Sequence, residues 1–273
     1  MTNIERVLRN EIYTTEEPTQ EAPTRLDNRL VQETNRSQIL LYLSRFGWLT
    51  CRMLADLVWQ HAAQPITMAR RTLAPMVEEK LVFTRQLSKG GAAYFLSAKG
   101  AGLLRLEGFD AQSGYTLSVA NPIHRACSNW FLIRAIKKGL VVYTEHEIAT
   151  GRAPRKVVND KLPDGLIVAD NGQCIWVECE YSQKSRSERH RVVGFAKAAL
   201  GRSERIELGP DLYLARLAIV GSNQHALRWM AQSVDDTRRY GGMTESQLAE
   251  VDVCLLTLTD SLVPGDVFDG NLY

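Results

Sequence analysis

Four side chains in the middle of the sequence have the types and the spacing for chemistry on phosphate esters: Asp164, Glu178, Glu180 and Lys184. In the run 174–180 (CIWVECE) the side chains alternate, so Ile175, Val177 and Cys179 share one face of a strand and Trp176, Glu178 and Glu180 share the other. Two carboxylates two residues apart on one face are unfavourable without a counter-charge. The Asp170-Asn171-Gly172 turn just before is a hairpin signal. A hairpin closed there brings Asp164, which follows Pro163, beside the two glutamates. Three oxygen ligands at one end of a short sheet suit a hard divalent cation, Mg²⁺ or Mn²⁺. Lys184 lies four residues past Glu180, where strand gives way to helix. From there its ammonium reaches the same site, to orient a water or to stabilise charge on a phosphate. Taken singly the residues have plainer readings. Glu178 and Glu180 fit the solvent face of an edge strand paired with Lys184 and Arg186, and Asp164 fits an ordinary turn position.

The elements around these residues predict a mixed sheet flanked by helices. The pattern gives a helix at 124–138 closed by Gly139, a strand at 141–148, a basic loop (GRAPRK), the run 162–168, and the strand 174–180. A basic helix to about Leu200 follows, then a strand at 212–220, a helix at 223–240 and a strand at 251–258. That order, α-β-β-β-α-β-α-β, fills a domain at 123–273.

Upstream, the order of elements looks like a winged helix at 35–109. Ile39, Leu40, Leu43 and Phe46 recur at helical spacing up to Gly47. Thr50 caps a second helix, and a third runs over about 67–79 with Pro75 inside it. A strand from Leu81, the turn Ser88-Lys89-Gly90-Gly91 and a returning strand to Leu96 form the wing, and Ser97 caps a last helix. The third helix of such a unit enters the major groove of DNA, and Arg, Lys and helix N-termini meet phosphates. The candidate contacts are Arg52, Thr67, Arg70, Arg71, Arg85 and Lys89. A winged helix used only for protein pairing is the alternative. The polar stretch 110–122 is expected to be a linker, and residues 1–34 a disordered tail.

Charge supports two polyanion-binding places. Residues 35–105 carry ten basic and three acidic side chains, a net of +7, and residues 181–206 carry seven and two, a net of +5. Arg186, Arg189 and Arg191, in the second segment, are candidates to lie along a DNA backbone. The whole chain nets only +2, with 45% hydrophobic residues, an ordinary globular composition. No 18-residue apolar run or signal-peptide core is present, and the five scattered Cys form no CxxC pair. These features exclude membrane-spanning, zinc-ribbon and disulfide-framework classes and place the expected protein in the cytoplasm. The five His form no H-x-H cluster, and no P-loop occurs. His124 and His190 read as ordinary helix residues, and Tyr181 as a boundary aromatic packing on the helix.

The order Pro163-Asp164, then Glu178-x-Glu180, then Lys184 resembles the PD-(D/E)XK nuclease fold, with Glu180 at the usual lysine position and a lysine on the following turn. The fuller string, LPDGLIV…VECEYSQKS behind a winged helix, is similar to the replication-relaxation proteins and MobC-type relaxases of mobile plasmids, over roughly residues 35–200. The resemblance implies an α/β (α+β) chain with a restriction-endonuclease-like second domain. It implies metal ligation by Asp164 and Glu178, with Glu180 as a further ligand or base and Lys184 as electrostatic helper. Glu145 or Glu147 on the preceding strand is a loosely aligned further carboxylate. The implied activity is Mg²⁺- or Mn²⁺-dependent nicking of double-stranded DNA at a transfer or replication origin, with mobilisation accessory or coupling proteins as partners and a homodimer left open. Two alternatives remain: a DNA-binding replication or transcription factor with a degenerate core, and a site-specific nuclease of a restriction or transposition system.

Overall fold

The computed structural model describes residues 28–154, 156–201, 204–240 and 242–268. It is mixed α/β and divides into two compact units, one ending at Leu117 and the other beginning at Ser118, with the turn Gln86–Gly91 grouped with the second. The expected disordered tail lies, up to residue 27, outside the described residues.

The first unit runs α1 (Asn28–Phe46), β1 (Trp48–Thr50), α2 (Cys51–Val58), α3 (Pro65–Glu78), β2 (Val82–Gln86), β3 (Ala92–Leu96) and α4 (Ala98–Leu106). The first helix starts seven residues before the expected start of the unit at residue 35, because its opening turns are exposed and need no apolar face. An i,i+4 pair of Arg29 with Glu33 at 3.2 Å lies there instead. Thr50 caps α2 by accepting from Met53 N at 3.3 Å, and Ser97 caps α4 by accepting from Gly100 N at 3.0 Å. Pro65 opens α3, where a missing N–H costs nothing, and Pro75 falls in its last turn without ending it. The strands order β1-β3-β2; β1 is too short to leave a sequence period. Ile39, Leu43, Phe46, Trp48, Met53 and Phe95 are at most 1% exposed and form the core.

The stretch expected to link the units instead folds onto the first one as far as Leu117. Ala111 is buried, and Tyr115 stacks on Phe83 with ring centroids 4.4 Å apart.

The second unit runs α5 (Pro122–Lys137), β4 (Val141–Thr144), α6 (Glu145–Ala149), β5 (Gly165–Val168), β6 (Gln173–Cys179), α7 (Arg186–Ala199), β7 (Glu207–Gly209), β8 (Leu212–Gly221), α8 (Gln224–Tyr240), α9 (Glu245–Leu248), β9 (Val251–Leu258) and β10 (Pro264–Phe268). The sheet order is β10-β9-β8-β6-β5-β4, with β7 on β8. Strands β4, β5 and β6 are antiparallel neighbours, while β6, β8 and β9 run parallel. The β5–β6 turn places Asn171 at φ 62° and Gly172 at φ 73°, the pair of left-handed residues that a tight hairpin needs. At Gly172 a Cβ would also meet Asp211 O at 1.9 Å. Trp176 is fully buried beside Phe195 of α7, centroids 4.9 Å apart. On the opposite face α5 packs on the sheet; Gly165 stands against Leu132, and Cys179 Sγ lies 3.4 Å from His124 O. All five cysteines are free thiols, and among the described residues no helix is long and apolar enough to cross a membrane.

Gly100 in α4 offers a test of the packing. Gly→Ala inside a helix ordinarily gains about 1 kcal/mol. Here the added Cβ would lie 2.3 Å from Leu81 O, a backbone atom that cannot yield cheaply. Gly100→Ala is expected to lower unfolding free energy by about 1–3 kcal/mol in denaturant titration; a gain in stability would contradict this packing.

Candidate functional site

Asp164 occupies a bend immediately before β5. Its N–H donates to Val177 O at 2.9 Å, and Gly165 pairs with Val177, so Asp164 is level with Glu178 in the ladder. The carboxylate, however, folds back across the strand end. Oδ2 accepts from Cys179 N at 2.7 Å and lies 3.4 Å from His124 Nε2. His124 is in the first turn of α5.

A third group arrives from β4. Where the sequence pattern continued the strand to Ile148, the chain turns helical at Glu145. Thr144 Oγ1 accepts from Glu147 N at 3.1 Å and Glu147 Oε2 accepts from Thr144 N at 2.9 Å, a reciprocal cap that outweighs the β-propensity of the preceding residues. Glu147 is therefore spent on the cap, while Glu145 is the first helical residue. Arg125 donates from Nη2 to Glu145 Oε1 at 3.3 Å, and its Nε stands 3.1 Å from Oε2. That approach is outside hydrogen-bond geometry, and the buried Oε2 has no hydrogen-bond partner.

His124, Glu145 and Asp164 each present a ligand atom within 4.8 Å of the others, the group of His, Cys, Asp or Glu residues among those described that is spaced to hold a metal ion. Burial alone would lower the His124 imidazole, but its bond to Asp164 and the charges of Asp164 and Glu145 outweigh it and raise its pKa. Tyr181 meets the His124 ring edge-on at 5.8 Å.

Glu178 and Glu180 are on the other face of β6. Both are buried, at 7% and 4% exposure, Glu178 in a strand with neighbours on both sides and Glu180 just past its end, so they are not the solvent face of an edge strand. Glu178 Oε1 accepts from Trp176 Nε1 and Oε2 from Lys161 Nζ, each at 2.7 Å. Lys184 Nζ stands 2.5 Å from Glu180 Oε1, a charge contact without hydrogen-bond alignment. Burial pushes the Glu180 carboxyl up, opposed by Lys184 and reinforced by Glu178. The expected convergence of Asp164 with Glu178 and Glu180 thus takes a different form. Asp164 joins His124 and Glu145, and the two glutamates each take a lysine.

Among the expected DNA contacts, Arg52, Thr67, Arg70 and Arg71 are exposed on α2 and α3, and Arg186 and Arg191 are exposed on α7. Lys89 lies 3.8 Å from Asp260. Two residues have internal roles instead. Arg85 donates to Leu117 O at 2.7 Å and to Tyr115 O, and lies over the Phe83 and Phe95 rings. Arg189 donates to Lys184 O at 2.7 Å and Ser233 Oγ at 3.1 Å and stacks over Trp229. Arg85 and Arg189 therefore hold their own units together.

Sequence reasoning treated His124 as an ordinary helix residue and missed Lys161. The Thr144-x-x-Glu147 spacing was the available signal for the helix that presents Glu145; Lys161 had none. No family model matches the chain, and neither a curated protein nor a solved structure does.

His146, beside Glu145, gives a pH test. Burial, with Arg152 and Arg125, pulls its imidazole down to about 4. The fold then binds fewer protons than the unfolded chain below about pH 6.5. Stability is therefore lost as pH falls from 6.5 towards 4, by up to about 1.4 kcal/mol per pH unit. His124, shifted the other way, contributes stability below 6.5 that is lost above it, outside that window. Denaturant unfolding in a chelating buffer should show the acid loss in the parent and a shallower one in His146→Gln; equal slopes would contradict it.

Proposed function

We propose that this chain is a divalent-cation-dependent enzyme that nicks DNA, with the first unit as its DNA-contacting part. The observation that carries the reading is the group His124, Glu145 and Asp164. Three ligand atoms within 4.8 Å, one of them beside a buried carboxylate oxygen with no hydrogen-bond partner, fit a cation. One imidazole and two carboxylates are a mixed donor set. It suits Mn²⁺ better than Mg²⁺, which prefers oxygen ligands throughout.

A cation there supplies Lewis-acid polarisation of a phosphoryl oxygen and a more acidic water. The chain's own residues do the rest. Cys179 N–H holds Asp164 in place, the Thr144 cap holds Glu145, and the Asp164 bond orients the His124 ring. The exposed Arg52, Arg70 and Arg71, within a segment of net +7, supply phosphate contacts. The sharper form is a relaxase-like nick at a mobile-element origin; it rests on the sequence resemblance and brings coupling or accessory proteins with it.

One observation favours a second reading, a DNA-binding factor without catalysis. Glu178 and Glu180, the glutamates of the nuclease-like pattern, are already charge-matched by Lys161 and Lys184.

Supercoiled plasmid carrying origin DNA separates the two. The parent is expected to convert it to nicked circle with Mn²⁺, more slowly with Mg²⁺ and not at all in chelator. Asp164→Asn and His124→Ala should each reduce nicking at least about 100-fold while leaving DNA affinity within about twofold. The triple variant of Arg52, Arg70 and Arg71 to Ala should lose affinity and flatten the salt dependence by up to about three units of log–log slope. Salt-dependent binding without nicking under either metal would establish the second reading.

A further inference from the structure

We infer that a cavity on the α7 side of β6 is an anion subsite that takes a phosphate group. It deepens the nucleic-acid reading and rests on it only for the source of the phosphate. The cavity has a volume of about 520 Å³, within the usual range for ligand pockets, about 300–1,000 Å³. Three cations from separate places in the chain line it: Lys161, Lys184 and Arg191, with Phe195 as an apolar wall.

Lys161 is placed by a purpose-built turn. Asn159 and Asp160 both take left-handed backbone, φ 48° and 60°, which Asn and Asp tolerate better than other side chains. Val158 and Lys161 close the turn with reciprocal backbone bonds of 3.0 and 3.1 Å. The ammonium then lies 2.7 Å from Glu178 and 5.8 Å from the Phe195 ring centroid. Lys184 is fixed from the other side by its contact with Glu180 and by Arg189 donating to its carbonyl.

Lysines gathered at one cavity repel each other. Here each is matched by a buried carboxylate, which fixes both without using up their donors. An ammonium has three N–H groups, and a single carboxylate contact leaves two. Two acids also line the cavity. Glu188 is held by the helix cap, its Oε2 accepting from Ser185 N and Oγ at 2.8 Å, with Arg191 and Lys184 within electrostatic reach, and Asp160 is on the exposed turn. The two lysines and the exposed Arg191 guanidinium line the opening, and Arg191 adds a third positive charge that Glu188 matches only through space, with no hydrogen bond or ion pair between them among the described residues. That is a site for a compact, multiply charged oxyanion. It is on the opposite face of β6 from His124, Glu145 and Asp164, so its occupancy needs no metal.

Isothermal titration of the full chain in chelator tests this, with three probes: inorganic phosphate, a short oligonucleotide bearing a 5′-phosphate, and the same oligonucleotide with a 5′-hydroxyl. Saturable binding is expected, weakened about tenfold in Arg191→Ala and unchanged in Asp164→Asn. Removing Lys161 alone would strand a buried carboxylate, so the second variant is Lys161→Met with Glu178→Gln, expected to abolish binding while still folding cooperatively. A preference for the 5′-phosphate assigns a terminal phosphomonoester; equal binding of both oligonucleotides assigns a chain phosphodiester; binding of phosphate alone assigns the free ion. Each upholds the subsite. No binding of any probe by the parent, or binding undiminished in both cavity variants, overturns it, and neither result touches metal-dependent nicking.

Discussion

Burying negative charge costs several kcal/mol per group unless a partner offsets it, and four carboxylates crowd one end of this sheet. Asp164, Glu178, Glu180 and Glu145 all lie at or just beyond the ends of β4, β5 and β6. The surrounding structure is arranged around their compensation. Glu178 takes an indole N–H and an ammonium, and Glu180 takes a second ammonium. Asp164 takes a backbone N–H and an imidazole. Glu145 takes the Arg125 guanidinium, yet its Oε2, like Glu180 Oε1, is buried without a hydrogen bond. Of these two, Glu145 is the one that stands, among the described residues, in a group of ligand atoms within 4.8 Å of one another, so a cation is best accommodated on the α5 side of β6.

Strand alternation separates the acids into two chemistries. Odd-numbered positions of β6 meet α5 and even-numbered positions meet α7, and Asp164, bonded to Cys179 N, is grouped with His124 on the α5 side. One side becomes a mixed nitrogen–oxygen donor set, and the other a lysine-rich cavity. In the proposed reading, a metal on one face and a phosphate on the other would divide the tasks that a single carboxylate cluster would otherwise combine.

Much of this was legible in the sequence. The caps at Thr50 and Ser97, the Asn171-Gly172 hairpin and the alternation of β6 are local signals, and local physics decides them. Burial of Glu178 and Glu180 was not legible, because a sequence does not say which neighbours cover a strand. The rotation of Asp164 was hidden for a related reason. Its register with Glu178 predicts a common face, but a residue in a bend is freed from strand alternation, and a bond to Cys179 N decides its direction. Arg85 and Arg189 looked like surface charge because their partners are backbone carbonyls and aromatic rings, which carry no charge pattern to read.

The central claim is that a divalent cation belongs to His124, Glu145 and Asp164 and not to Glu178 and Glu180. Crystals of the chain soaked in Mn²⁺, with data collected near the manganese absorption edge, locate the ion without reference to activity. The account predicts one anomalous peak bounded by His124 Nε2 and the Glu145 and Asp164 carboxylates, with Lys161 and Lys184 still on their glutamates. A peak between Glu178 and Glu180 with the lysines displaced, or none near either group at saturating Mn²⁺, would contradict it.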